Sequence, residues 1–219
     1  MGEIWDGRYR TVSEMAPMYL PPDTPDNQAF LVSFGRAIMA WNTLDGVFRQ
    51  FLEVLSELDG GCGRATFIAL SAETTTYGIE QAAAALSKVV LSGERFKDAE
   101  FAIDQVARIR EHRNFYIHGA NHLTQHDGQV VAPTLTWSAK RGKIKHNTEQ
   151  IRVSDLHDLA KWSSEQSSFI KSLIDYWFPV EINGSVPPRP DRPEKVPSCQ
   201  KSYRDITSYA FADPAKRSH

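Results

Sequence analysis

The segment Arg113-Asn114-Phe115-Tyr116-Ile117-His118 carries the residue types best suited to chemistry in this chain. Asn114 and His118 are spaced i, i+4, so on a helix they stand one above the other, with Arg113 beside them. A guanidinium binds a phosphate through a planar fork and keeps its charge at any working pH. An imidazole takes or gives a proton near neutrality. Together with an amide, the pair suits cleavage of a phosphodiester without a metal.

The wheel of the surrounding helix sets the expectation. Ile103, Val106 and Ala107 mark an apolar arc, and one or two turns on the same arc meets Arg110, Arg113, Asn114, Ile117 and His118. Arg108, His112 and Phe115 then point elsewhere, and His112 and His157 are read as surface residues. A buried Arg or His needs a partner or a task. The structural alternatives are specific. Arg113 could pair with Glu73 or Glu80. His118 could interact with its helix C-terminus, where a cation is favoured. Asn114 could satisfy backbone groups at a helix crossing.

The elements that must position these residues follow from periodicity. Residues 1–29 are rich in proline and read as an irregular arm, and 180–219 as a Pro-rich tail. Between them, apolar residues recur every three or four positions. Helix one is expected from about Asp26 to Leu58, with Phe34, Ile38, Trp41, Leu44, Phe48, Phe51 and Leu55 inward. Helix two is expected from about Arg64 to Leu91, with Thr74, Tyr77, Leu86 and Val89 on its buried face, and helix three from Phe96 to His118. The period then changes. Val130, Val131, Trp137, Ile144 and Ile151 surround a Lys140-Arg141-Gly142 turn, which predicts a β-hairpin over about 129–152. Ser154 or Asp155 caps helix four, with Leu156, Leu159, Ser163, Gln166, Ile170, Leu173 and Trp177 inward. The fold class is therefore all-α: an up-down bundle of four to five helices with an inserted hairpin, its domain covering 30–179.

Composition narrows the partners. The 219-residue chain has a net charge of -2 and 24% charged residues, so no global basic field draws a polyanion. Local charge at Lys140, Arg141 and Lys143 reads first as a solvated turn and alternatively as a clamp on an RNA backbone, with Arg110 as a further contact. Cys62 and Cys199 have no metal-ligand spacing and read as free thiols. His118, His122 and His126 are four apart, but Gly119, Asn121 and Asp127-Gly128 break the helix that a metal would need. Neither metal nor cofactor is expected. No secretion signal or membrane span is read, so the expected compartment is the cytoplasm. Pro187-Pro188-Arg189-Pro190 fits a PxxP ligand.

The stretch Arg110-Glu111-His112-Arg113-Asn114-Phe115-Tyr116-Ile117-His118-Gly119 resembles the signature of the HEPN superfamily (higher eukaryotes and prokaryotes nucleotide-binding). That family is similar in plan, a small helical bundle with an Arg-x4–6-His motif late in a long helix. Here Arg113 matches the motif arginine, Asn114 the polar residue after it, and His118 the histidine. The resemblance implies a metal-independent endoribonuclease, acting as a homodimer with the two motifs facing each other across the interface. It implies His118 as general acid or base, Arg113 on the scissile phosphate, Asn114 as orienter, and RNA as substrate. It also implies roles in toxin–antitoxin or defence systems, with an antitoxin or a nucleotidyltransferase as partner. Some toxin members carry a modified Tyr two residues after the histidine, where this chain has Ala120. Other members are non-catalytic nucleotide-binding or protein-interaction modules, the alternative reading here.

Overall fold

A computed structural model describes residues 23–58, 60, 74–119, 123–133, 136–140, 143–147, 150–178, 187–199 and 204–205. For 136–140, 143–147 and 204–205 the description covers the backbone course alone. Most of the described chain is helical: α1 (Pro25–Leu58), α2 (Thr76–Val90), α3 (Gly93–Gly119) and α4 (Val153–Trp177). Between α3 and α4 run β1 (Thr124–His126), β2 (Gln129–Pro133), β3 (Thr136–Lys140), β4 (Lys143–Asn147) and β5 (Gln150–Ile151), and β6 (Arg204–Asp205) follows in the tail.

The long partners are α1 and α4. Their inward stripes match the expected ones: Trp41, Leu44, Phe48, Phe51 and Leu55 on α1, and all seven expected positions of α4, are buried. The two helices run parallel. Near their first turns Ser33 Oγ lies 3.0 Å from His157 Nε2, and near their last turns Phe51 and Trp177 pack with centroids 5.6 Å apart. α3 runs antiparallel to α4: Phe101 meets Phe169, while His112 meets Trp162 nearer the start of α4. The helical stop after α1 uses Gly60 at φ 93°, whose N–H donates to Glu57 O. Asp155 closes the start of α4, its Oδ2 accepting the Arg152 N–H at 2.7 Å.

Helix two departs from expectation. Thr74 and Thr75 precede the helix, and the extended Thr75 accepts the Gly78 N–H at its Oγ1, which caps α2 at its first turn. The expected stretch 64–73 lies outside the described residues. The buried face is Ile79, Glu80, Ala83 and Ser87, whereas Tyr77 and Val89 are exposed. The start is tied to α1 by Asp45, which accepts from Thr76 Oγ1 (2.6 Å) and from Arg49 Nε (2.9 Å), while Arg49 also donates to Thr74 O. That threonine-rich start reads as helix when only the 3.6 period is counted. Its hydroxyls instead cap the first turn through the Gly78 N–H and tie it to the Asp45 carboxylate of α1.

The single hairpin expected over 129–152 is two three-stranded antiparallel sheets, ordered β1-β2-β5 and β3-β4-β6. The expected turn does join a hairpin: β3 and β4 pair on either side of it, with Lys140 opposite Lys143. The extra hairpin, β1–β2, turns at Asp127-Gly128 with φ of 49° and 73°. Positive φ at both central residues is the turn whose twist suits two antiparallel strands, and Asp-Gly is its strongest signal. A Cβ on Gly128 meets nothing within 4 Å, so Gly128→Ala costs only backbone conformation. Urea unfolding should show a loss of about 1 kcal/mol with unchanged m-value. A neutral result would mean the turn relaxes freely. Val130, Ala132 and Ile151 join the hydrophobic core, and Val131, on the opposite face of β2, is buried as well.

The described part of the tail is anchored on the bundle. Residues 187–199 run along α3 as an extended strap without helix or strand, and Val196 is buried in the core. No helix among the described residues is long and apolar enough to cross a membrane.

Candidate active site

α3 is buried from two sides, and this decides which of its residues face inward. Ala99, Ala102, Val106 and Ile109 pack against the bundle, while Asp98, Gln105 and His112 are buried beneath the strap. The inward arc is therefore rotated from the one that Ile103, Val106 and Ala107 define, by roughly one residue step of about 100°. The rotation corrects two readings. His112 is buried, 6% exposed, with Nε2 2.9 Å from Pro197 O and Nδ1 3.2 Å from Tyr116 Oη. Phe115 is buried as well. His157 is exposed, as expected. The apolar pattern could not reveal the rotation, because the residues that make the second buried side are polar and find their partners some 90 positions away.

Arg113 and Asn114 end up half-buried and His118 exposed at the rim of the same helix. Arg113 Nη1 donates to Asn114 Oδ1 at 3.1 Å and to His118 Nε2 at 2.6 Å. A guanidinium has donors only, so the imidazole nitrogen facing it must offer its lone pair. The guanidinium carbon stands 5.9 Å from the ring centroid of Trp41, a buried residue of α1. That cation–π contact holds the fork against the bundle while leaving its edge towards solvent. Among the described residues Arg113 makes no ion pair with a carboxylate. Glu73 lies outside the described residues.

Glu80 is engaged by Arg110, not Arg113. Arg110 Nε and Nη2 reach the two carboxylate oxygens at 2.6 and 3.0 Å, and the guanidinium carbon stands 5.3 Å from the Tyr77 ring centroid. Glu80 is 2% exposed. Its burial pushes the carboxyl above the ordinary 4.5, against the opposing hydrogen bond and charge of Arg110. Arg110, expected as an RNA contact, is thus an internal ion-pair partner. Its fork already satisfies a carboxylate that would otherwise be stranded.

Lys140 and Lys143 flank the β3–β4 turn as expected, and β3 lies against α3. Arg141 and the side chains around this turn lie outside the described residues. His118 closes α3 while His126 belongs to β1, and His122 lies outside the described residues. Among the described residues no three His, Cys, Asp or Glu groups cluster as metal ligands do. On the strap side, a cavity of about 280 Å3 opens between His112, Tyr116, Gln150, Asp155 and the strap's Ser198 and Cys199. No protein-family model matches the chain, and no curated protein or solved structure does.

Proposed function

We propose that this chain is a metal-independent endoribonuclease of the HEPN type, cleaving RNA by attack of the ribose 2′-hydroxyl. The observation that supports this reading most is the direct contact of Arg113 with His118 at a solvent-facing helix end, where no carboxylate among the described residues pairs with the guanidinium. The imidazole nitrogen facing the arginine is the basic one. On substrate binding, the Arg113 fork transfers from His118 to the scissile phosphate, and the freed Nε2 accepts the 2′-hydroxyl proton. The 2′-oxygen bonds to phosphorus, the bond from phosphorus to the 5′-oxygen breaks, and that oxygen leaves with a proton. Arg113 counters the charge that builds on the phosphoryl oxygens. Asn114, already bonded to Arg113, holds the fork's plane.

In the same reading the active form is a homodimer, with the second His118 supplying the proton to the leaving oxygen. Lys140, Arg141 and Lys143 hold the RNA backbone, and Arg110 leaves that set because it serves Glu80. The biological setting would be a cytoplasmic toxin or defence effector held by an antitoxin or a modifying nucleotidyltransferase.

The test is chemical. The purified chain is incubated with RNA in EDTA, and the ends of the products are determined. Fragments ending in 2′,3′-cyclic phosphate with 5′-hydroxyl partners support the proposal, and a single 2′-deoxy residue at the cut position should stop cleavage there. Tight RNA or nucleotide binding without any product would instead favour the non-catalytic module.

A further inference from the structure

The strap is held in a way that goes beyond tidying a chain end. Its two arginines converge on one carboxylate: Arg189 reaches Asp98 Oδ2 through Nε (2.9 Å) and Oδ1 through Nη2 (2.7 Å), and Arg192 reaches Oδ1 through Nε (2.9 Å). Asp98 is 1% exposed. Arg189 also donates to Glu94, and Arg192 lies over the Phe101 ring with its guanidinium carbon 5.5 Å from the centroid. Further along, Gln105 Oε1 accepts the Val196 N–H at 2.7 Å. Arg108 donates to Val196 O and to Ser198 Oγ, and His112 Nε2 meets Pro197 O. Val196 itself is 3% exposed.

The spacing of the two partners agrees. The strap's prolines favour a polyproline helix, with three residues per turn, which places Arg189 and Arg192 on the same side. The strap runs alongside α3 in the same direction, from the arginine clamp at Asp98, through Val196 at Gln105, to Pro197 at His112. Asp98, Gln105 and His112 are three buried polar side chains of one helix face, and each is used by the strap. The chain supplies both a groove and a ligand built to it, joined by only the short stretch 179–186.

We propose that this face of α3 is a recognition groove for an extended Arg-Pro-x-Arg-Pro-x-x-Val segment. The chain's own residues 187–199 are a tethered ligand in it, exchangeable for the same segment of a second copy. The anchoring arginines favour exchange, because their side chains remain 39% and 37% exposed and open to water and salt. This inference stands apart from the ribonuclease reading, since it uses the opposite side of α3.

The test uses the full chain and a labelled synthetic peptide of residues 187–199, read by fluorescence anisotropy at low salt. In the wild-type chain the tethered segment competes at high effective concentration, so the peptide binds weakly. The double variant Arg189→Ala with Arg192→Ala loosens the tether's own grip, and the peptide should then bind at least about tenfold more tightly. Adding Asp98→Asn should erase that gain, and a peptide lacking both arginines should not bind. Val196→Asp, which ejects the segment at its other end, serves as a second opener if the double variant folds poorly, with circular dichroism as the control. Equal binding to the wild-type and both opened chains would overturn the proposal. So would a gain that survives Asp98→Asn.

Discussion

His118→Ala is expected to lower RNA cleavage by roughly 10²–10⁴-fold, the usual contribution of a positioned acid or base. Arg113→Ala is expected to lower it by roughly 10²–10³-fold, as when a preorganised donor to a developing charge is removed. The two side chains are in contact, so they act as a unit and the double variant should lose little more than the worse single one. Arg113→Lys should recover little, because an ammonium cannot span two phosphate oxygens as the planar fork does. Folding should survive in each. His118 is exposed, and Arg113 is half-buried and pairs with no carboxylate among the described residues. The measurement is single-turnover cleavage in EDTA beside thermal melts of each variant. Undiminished cleavage by both alanine variants would remove this site from consideration.

Arg110→Ala should be a stability variant, and a severe one. Glu80 would stay buried with its countercharge gone, a change that typically costs about 3–5 kcal/mol at neutral pH. The loss should shrink in acid, and the sign follows from the proton count. In the native chain burial already raises the Glu80 carboxyl above 4.5, and Arg110 opposes that rise. Without Arg110 the folded carboxyl rises further while the unfolded one stays near its ordinary value. Between those two values the folded state holds a proton that the unfolded chain has released, so stability falls as pH increases through that window. Below it both states are protonated, and the stabilisation by the neutral acid is fully present. Glu80→Gln should cost less, since it removes the buried charge and leaves an arginine that reaches solvent at 19% exposure. Urea midpoints at pH 7 and near pH 4.5 would decide. A deficit of equal size at both would mean that Glu80 is not the group responsible.

Read from its residues, the chain showed the parts whose burial follows a local period. α1 and α4 were legible because their inward stripes are apolar, recur every three or four residues, and face one large partner each. The grouping of Arg113, Asn114 and His118 on one helix end was legible for a related reason: a helix brings i, i+4 and adjacent positions together whatever surrounds it.

What tertiary structure decided is which way those helices face. α3 turns Asp98, Gln105 and His112 inward because a strap about 90 residues further on carries two arginines, a valine and free backbone groups to meet them. It gives Arg110, not Arg113, to Glu80, because the packing of α2 on α3 sets that buried carboxylate against the earlier arginine. A polar side chain's burial depends on a partner, and the partner's place is set by packing between distant segments. Local spacing therefore names the groups able to do chemistry, and only the assembled bundle shows which are already taken.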